Sequence, residues 1–123
     1  MDIKPLVLVV EDKEWVCESF RVRLEKYCKL LFAKTREEAD KLFDENSSKV
    51  ALIGMDACLS GEIPDTLELT RRIRGDGWRG PIIAISSDPG LNETLKRCGA
   101  SYACDKFNFP EIAISVLDGI GEL

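Results

Sequence analysis

Acidic, hydroxyl and basic side chains follow four apolar segments of this sequence. They are Glu11 and Asp12 after residues 6–10, Asp56 after 50–55, Ser86 and Ser87 at the end of 81–85, and Lys106 after 102–104. Three carboxylates brought together are electrostatically unfavourable unless a cation relieves them, and no arginine or histidine lies nearby in sequence to do so. A hard divalent cation with oxygen ligands is the natural solution. Mg²⁺ typically uses one or two carboxylates together with waters and phosphate oxygens.

The same residues are suited to phosphoryl chemistry. Lys106 supplies a mobile positive charge for a phosphoryl oxygen. A carboxylate such as Asp56 can attack phosphorus and form an acyl phosphate, and the Ser86 hydroxyl can donate to one of the new oxygens. Each residue alone has an ordinary interpretation, for example Asp12 as a helix N-cap or Asp56 as a turn residue. Their conjunction at successive strand ends is what indicates a site.

The segments that must position these residues alternate between strand and helix. The apolar runs predict strands at 6–10, 30–33, 50–55, 81–85 and 102–104, and helical periodicity predicts helices at 14–27, 36–46, 65–74, 91–97 and 110–117. Unalternating apolar strands are typical of parallel sheets buried on both faces. The pattern therefore predicts a doubly wound five-stranded parallel sheet in a three-layer α/β/α arrangement. Its ligand site is expected at the carboxyl ends of the strands.

Capping signals mark several helix ends. Thr35 to Glu38 reads as a capping box, and Asp65 is the predicted N-cap of the third helix. Gly99 is placed to follow the C-cap of the fourth helix. We expect that fourth helix to be small or irregular, because the segment between Ser86 and Lys106 is short.

Composition excludes several classes of function. The chain is 45% hydrophobic and 32% charged, carries a net charge of −5 and has no histidine. A Ser-His-Asp triad, a Cys-His pair and a histidine-ligated zinc site are therefore impossible. The acidic balance argues against nucleic acid as a partner, and we interpret the basic cluster as a solvated helix end. That cluster consists of Arg71, Arg72, Arg74 and Arg79.

Cysteine usage and hydropathy indicate the compartment. The five cysteines form no Cys-x-x-Cys pair and are predicted to be buried free thiols in a reducing environment. No apolar run approaches the length of a membrane span, and the first residues lack the order of a signal peptide. We therefore expect a cytoplasmic protein without a membrane partner.

The motifs resemble the receiver domain of two-component response regulators, the CheY-like family. The resemblance rests on Val9-Val10-Glu11-Asp12, Ile53-Gly54-Met55-Asp56, Ile82-Ile83-Ala84-Ile85-Ser86-Ser87, Gly99-Ala100-Ser101 and Lys106, with similar intervals between them. It covers essentially the whole chain and implies a single domain, residues 1–123, with a flavodoxin-like (βα)5 receiver fold.

The resemblance also implies a role for each site residue. Asp56 would be the phosphorylated aspartate and, with Glu11, Asp12 and the backbone carbonyl of Cys58, would hold Mg²⁺. Lys106 would pair with the phosphoryl group and Ser86 would be the switch hydroxyl. A histidine kinase or histidine phosphotransfer protein would be the donor, and phosphorylation would control binding to a downstream protein. Beyond self-catalysed phosphotransfer and dephosphorylation, no enzyme activity is expected.

Three departures from the family pattern affect the switch region. Ser60 stands where the family usually has proline, and Phe107 replaces the proline after the lysine. Ala103 occupies the position of the switch aromatic, and Tyr102 lies one residue too early, so it should point to the opposite face. The hypothesis that follows is a domain that accepts phosphate but signals weakly or through another surface.

Two other functions remain open from the sequence. One is a pseudo-receiver that acts as a phosphorylation-independent interaction scaffold, which the missing aromatic favours. The other is a Mg²⁺-dependent phosphohydrolase with an aspartyl nucleophile. That chemistry normally needs a second acid beside the nucleophile, where this chain has Ala57 and Cys58.

Overall fold

A computed structural model of the chain describes residues 3–59 and 63–123, which form one parallel sheet with helices on both faces. The strands are β1 (Leu6–Val10), β2 (Lys29–Ala33), β3 (Val50–Asp56), β4 (Ile82–Ile85) and β5 (Tyr102–Cys104). The helices are α1 (Glu14–Leu24), α2 (Arg36–Asn46), α3 (Leu67–Gly75), α4 (Pro89–Cys98) and α5 (Phe109–Gly119). The strand order β2-β1-β3-β4-β5 is that of a doubly wound sheet, with its switch point between β1 and β3. The predicted fold class is confirmed.

The core lies in two layers, one on each face of the sheet. Leu8 and Val10 of β1 pack with Phe43 and the α2–α4 layer, whereas Val7 and Val9 pack towards α1 and α5. All four β1 side chains are fully buried. Because both faces are covered, the strands need apolar residues at every position, which explains the continuous runs in the sequence.

Gly54 of β3 is required by the packing of α5. A Cβ at this position would lie 2.7 Å from the ring of Phe109, and that ring is itself packed 4.8 Å from Phe20 between centroids. Gly54→Ala should therefore lower the free energy of unfolding by about 1–3 kcal/mol, the usual cost of overpacking a core. Gly75→Ala is the matched control, since a Cβ there meets nothing within 4 Å. Urea unfolding that found Gly54→Ala as stable as the wild type would contradict this packing.

The boundaries of α1 and α3 differ from the predictions. Helix α1 ends at Leu24, so Tyr27 lies beyond the helix and is exposed. Thr66, not Asp65, is the N-cap residue of α3, and the Asp65 carboxylate accepts from the Leu59 amide at 2.7 Å. The predicted cap of α2 is confirmed at Thr35, whose Oγ1 accepts from the Glu38 amide, whereas the Glu38 side chain accepts from the amide of Lys34, one residue before Thr35.

The prediction of a small or irregular fourth helix is wrong. Helix α4 has 10 residues and begins with Pro89 at its first position. The Asp88 side chain caps it by accepting from the amides of Gly90 and Leu91. The loop before α4 is only three residues long, which leaves room for a full helix. Gly99 ends the helix with φ of 131°, as its position predicted.

The prediction that the basic cluster is a solvated helix end holds for Arg71 and Arg79, which are exposed, but the other two arginines have several partners within the protein. Arg72 forms ion pairs with Asp40, Asp44 and Asp76. Arg74 is half-buried and its guanidinium donates to three backbone carbonyls and one hydroxyl. A short sequence window shows the charges but not these distant acceptors.

All five cysteines are free thiols, as predicted. Cys17, Cys28 and Cys98 are buried, whereas Cys58 and Cys104 are half-buried. Burial raises the pKa of Cys17, Cys28 and Cys104 to about 11, so these thiols stay protonated at neutral pH. Within residues 3–59 and 63–123, no helix is long and apolar enough to span a membrane.

Candidate functional site

Parallel strands bring the predicted site residues to one edge of the sheet. Glu11 and Asp12 directly follow β1, Asp56 is the last residue of β3, and Lys106 lies two residues after β5. The amide of Glu11 donates to the Ala33 carbonyl at 2.9 Å, which continues the β1–β2 ladder by one residue. The site is therefore built on strand ends rather than on mobile loops.

Three carboxylates and the ammonium group of Lys106 meet at this edge, and Lys13 Nζ lies 3.8 Å from Asp12 Oδ1. One ligand oxygen from each of Glu11, Asp12 and Asp56 lies within 4.8 Å of the others. Glu11 and Asp56 are buried, with 1% and 4% of their surface exposed. Lys106 Nζ donates to Glu11 Oε1 at 3.0 Å and lies 3.8 Å from Asp56 Oδ2.

The ammonium groups of Lys106 and Lys13 do not compensate these carboxylates fully. Burial and the adjacent Glu11 carboxylate together raise the pKa of Asp56 to about 8, although Lys106 and the Cys58 amide act to lower it. Burial lowers the pKa of Lys106, but its hydrogen bond to Glu11 and the charge of Asp56 outweigh burial and raise it. Without additional positive charge, the Asp56 carboxyl therefore tends to keep its proton near neutral pH.

The oxygen atoms of the cluster fit a Mg²⁺ ion. Glu11 Oε2, Asp12 Oδ1 and Asp56 Oδ2 are buried and have no hydrogen-bond partner within the described part of the chain. Buried carboxylate oxygens are normally satisfied by a donor or a cation. A hard cation with oxygen ligands would satisfy all three and relieve their repulsion.

The loop after Asp56 is held by a residue that sequence reasoning did not assign to the site. Thr66 is fully buried, and its hydroxyl donates to the carbonyl of Asp56 at 2.7 Å and approaches that of Ala57 at 3.2 Å. The Cys58 amide donates to Asp56 Oδ1 at 3.3 Å. The only sequence signal for Thr66 is a hydroxyl at a helix start, which does not distinguish it from an ordinary cap.

Ser86 lies at the end of β4 but its hydroxyl is engaged elsewhere. Ser86 Oγ accepts from the Asp88 amide at 3.0 Å, and among the described residues no hydrogen bond joins it to Asp56. Ala103 pairs with Ala84 in the β4–β5 ladder and packs against the core, whereas Tyr102 is 44% exposed. The prediction that Tyr102 points away from Ala103 is consistent with this alternation.

Of the two remaining departures in the switch region, one lies within the described residues and the other does not. No peptide bond in residues 3–59 or 63–123 is cis, so the Lys106–Phe107 bond is trans. Ser60, the residue in place of the family's proline, lies outside the described residues.

The sheet order and the acidic edge together define a receiver fold, and solved structures agree. A two-component response regulator of the LuxR family from Aurantimonas sp. SI85-9A1 has a TM-score of 0.77 at 23% identity, covering 96% of this chain and 85% of that one. A response regulator receiver protein from Pseudoalteromonas atlantica has a TM-score of 0.79 at 16% identity, covering 94% and 96%. The chemotaxis protein CheY4 of Vibrio cholerae has a TM-score of 0.77 at 18% identity, covering 96% and 99%.

These structures are similar to the chain in fold. No protein-family model matches the sequence, and no curated protein matches it. The chain therefore has the CheY-like fold of response regulator receiver domains.

Proposed function

We propose that this chain is a phosphoacceptor receiver domain of a two-component phosphorelay, phosphorylated on Asp56. The observation that supports it most strongly is the acidic cluster itself. Three carboxylates whose buried oxygens lack a hydrogen-bond partner among the described residues would be a standing electrostatic cost unless they serve to gather a cation and a phosphoryl group. Lys106 beside them provides the positive charge that a phosphoryl oxygen needs.

The reaction is a transfer of one phosphoryl group to a carboxylate. An Asp56 oxygen attacks the phosphorus of the donor, the bond between phosphorus and the donor's nitrogen or oxygen breaks, and the donor keeps the electron pair. Lys106 Nζ, already 3.8 Å from Asp56 Oδ2, pairs with the developing negative charge. Hydrolysis of the resulting acyl phosphate would return the free carboxylate.

Mg²⁺ would be held by Glu11, Asp12, Asp56 and the backbone carbonyl of Cys58. When bound, it supplies positive charge that ionises Asp56 and offsets the charge of the phosphoryl oxygens. Asp12 is the most exposed of the three acids and offers access from solvent.

The partners follow from the same function. The donor is a histidine kinase or a histidine phosphotransfer protein, and the acceptor of the signal is a downstream protein of unidentified type. Nucleic acid is not expected to bind this domain, because its net charge is −5 and the described contacts of Arg72 and Arg74 are intramolecular. The free thiols fit a cytoplasmic, reducing location.

Intact mass after incubation with Mg²⁺ and acetyl phosphate tests the proposal. The wild type should gain one phosphoryl group, and omission of Mg²⁺ should abolish the gain. Asp56→Asn should gain none, whereas Asp105→Asn should behave as the wild type. Asp105 lies at the same edge, but its carboxylate accepts from the Asn108 amide and is outside the acidic cluster.

A phosphorylation-independent interaction scaffold is the second candidate. The observation in its favour is that the Ser86 hydroxyl is engaged by Asp88 and that Ala103 provides no aromatic ring. A wild type that neither gains a phosphoryl group nor binds Mg²⁺ in a titration would favour the scaffold.

A further inference from the structure

Ser86 is tied to helix α4 by two separate bonds. Its Oγ accepts from the amide of Asp88, the N-cap residue of α4, at 3.0 Å. Its backbone carbonyl accepts from Nδ2 of Asn92 at 2.9 Å. Asn92 is also joined to the helix start by its own amide, which donates to the Asp88 carbonyl at 3.1 Å. Ser86 and the first turn of α4 therefore form one hydrogen-bonded unit.

The Asn92 amide is held in this orientation at a cost. Its Oδ1 is buried and has no hydrogen-bond partner among the described residues. The reverse orientation would place Oδ1 against the Ser86 carbonyl, where two acceptors repel each other. A leucine of similar volume would avoid the unsatisfied oxygen. The presence of an amide side chain at position 92 is therefore explained by the hydrogen bond that it donates to the Ser86 carbonyl.

Space for movement exists beside this unit. One groove, of about 420 Å³, lies on the α1 side of Lys106. The groove beside the unit is a second one, of about 370 Å³, which lies between α4 and β5 and is lined by Ser86, Asn92 and Ala103. The small side chain of Ala103 leaves this second groove open. The residues of β5 that line this groove are Ala103 and Cys104, and neither has a large side chain.

We propose that Asn92 is a positioning residue that couples Ser86 to helix α4 when Asp56 is phosphorylated. This inference rests on the proposed function. The new phosphoryl oxygens attract the Ser86 hydroxyl, which then gives up its bond from the Asp88 amide. The Asn92 amide keeps the Ser86 backbone attached to α4, so the first turn of the helix moves with Ser86. The response reaches α4 through this side chain and does not need an aromatic ring on β5.

The test compares amide hydrogen exchange in α4 with and without phosphorylation. In the wild type, acetyl phosphate and Mg²⁺ should change the rate of amide hydrogen exchange in α4 by about fivefold. That is the change expected from gaining or losing one ordinary hydrogen bond. Asn92→Leu should still gain one phosphoryl group by intact mass, but the change in α4 should disappear. Asn92→Gln, which keeps the donor on a longer arm, should restore part of it. Glu93→Gln is the matched control on the same helix and should respond as the wild type.

The outcomes distinguish a failure of this inference from a failure of the proposed function. A wild type that gains no phosphoryl group overturns both. A phosphorylated Asn92→Leu protein whose α4 responds as fully as the wild type overturns only the role of Asn92. If Asn92 has a purely structural role, Asn92→Leu will change amide exchange in α4 equally with and without phosphorylation. The phosphorylation-dependent difference would then remain, and this result would also overturn the coupling.

Discussion

Replacement of Arg74 by methionine should lower the free energy of unfolding by about 2–4 kcal/mol. Its guanidinium donates to the carbonyls of Gly99 at 2.9 Å, Trp78 at 3.0 Å and Gly80 at 2.7 Å. A further bond goes to Ser101 Oγ at 3.1 Å, and the group lies 5.6 Å from the ring centroid of Trp78. Methionine would fill the space but leave these acceptors without their donor, and hydrogen bonds from charged groups contribute about 1.5–3 kcal/mol each.

Arg74 therefore connects the end of α3 to the loops before β4 and β5. Arg71→Met is the matched control, because Arg71 is an exposed arginine on the same helix and should change stability by less than about 0.5 kcal/mol. Urea unfolding monitored by the tryptophan fluorescence of each variant measures both. Equal stabilities of the two variants would show that the Arg74 bonds contribute nothing net.

Asp56→Asn should stabilise the protein in the absence of divalent cations, and the gain should depend on pH. The pKa of Asp56 is raised from 3.8 to about 8 by burial and by Glu11. The folded protein therefore holds a proton that the unfolded chain has lost, and wild-type stability falls as pH rises from about 4 to about 8. Asparagine cannot ionise and does not incur this loss. We expect a gain of several kcal/mol at pH 8, on the order of 1.4 kcal/mol for each unit of the pKa shift, that vanishes near pH 4.

Unfolding in urea with EDTA at several pH values between 4 and 8 measures this gain. Asp118→Asn, which removes an exposed carboxylate from α5, is the control and should show no such trend. Addition of Mg²⁺ should stabilise the wild type more than Asp56→Asn, because the ion needs the ionised carboxylate. A gain of the same size at pH 4 and pH 8 would mean that the substitution acts through packing rather than charge.

The order of strands and helices could be predicted from the sequence because it depends on local patterns. The apolar run of β1 and the period of α1 are visible in windows of a few residues, and the fold class follows from their alternation. The acidic cluster could be predicted for the same reason. Glu11 and Asp56 end parallel strands that are neighbours in the sheet, so their positions meet at one edge whatever the details of the loops.

Capping and helix length were less predictable at particular ends. Asp65 and Thr66 are both favoured N-cap residues, and in the folded protein the Asp65 carboxylate accepts from the Leu59 amide instead of capping α3. The length of α4 was underestimated because Asp88 and Pro89 begin it earlier than its apolar positions indicate.

The tertiary structure alone decided how the polar side chains are paired. Arg74 finds two of its acceptors 25 and 27 residues away, at Gly99 and Ser101, and Lys106 finds Glu11 across 95 residues. The Asn92 contact to Ser86 spans only six residues, yet nothing in the intervening sequence distinguishes it from a solvated side chain. Hydrophobic periodicity depends on residues that are neighbours in the sequence, whereas the role of a polar side chain depends on the partner that folding brings to it. For that reason the sequence determined the fold and the members of the acidic site, and the structure determined which contacts would carry a signal from it.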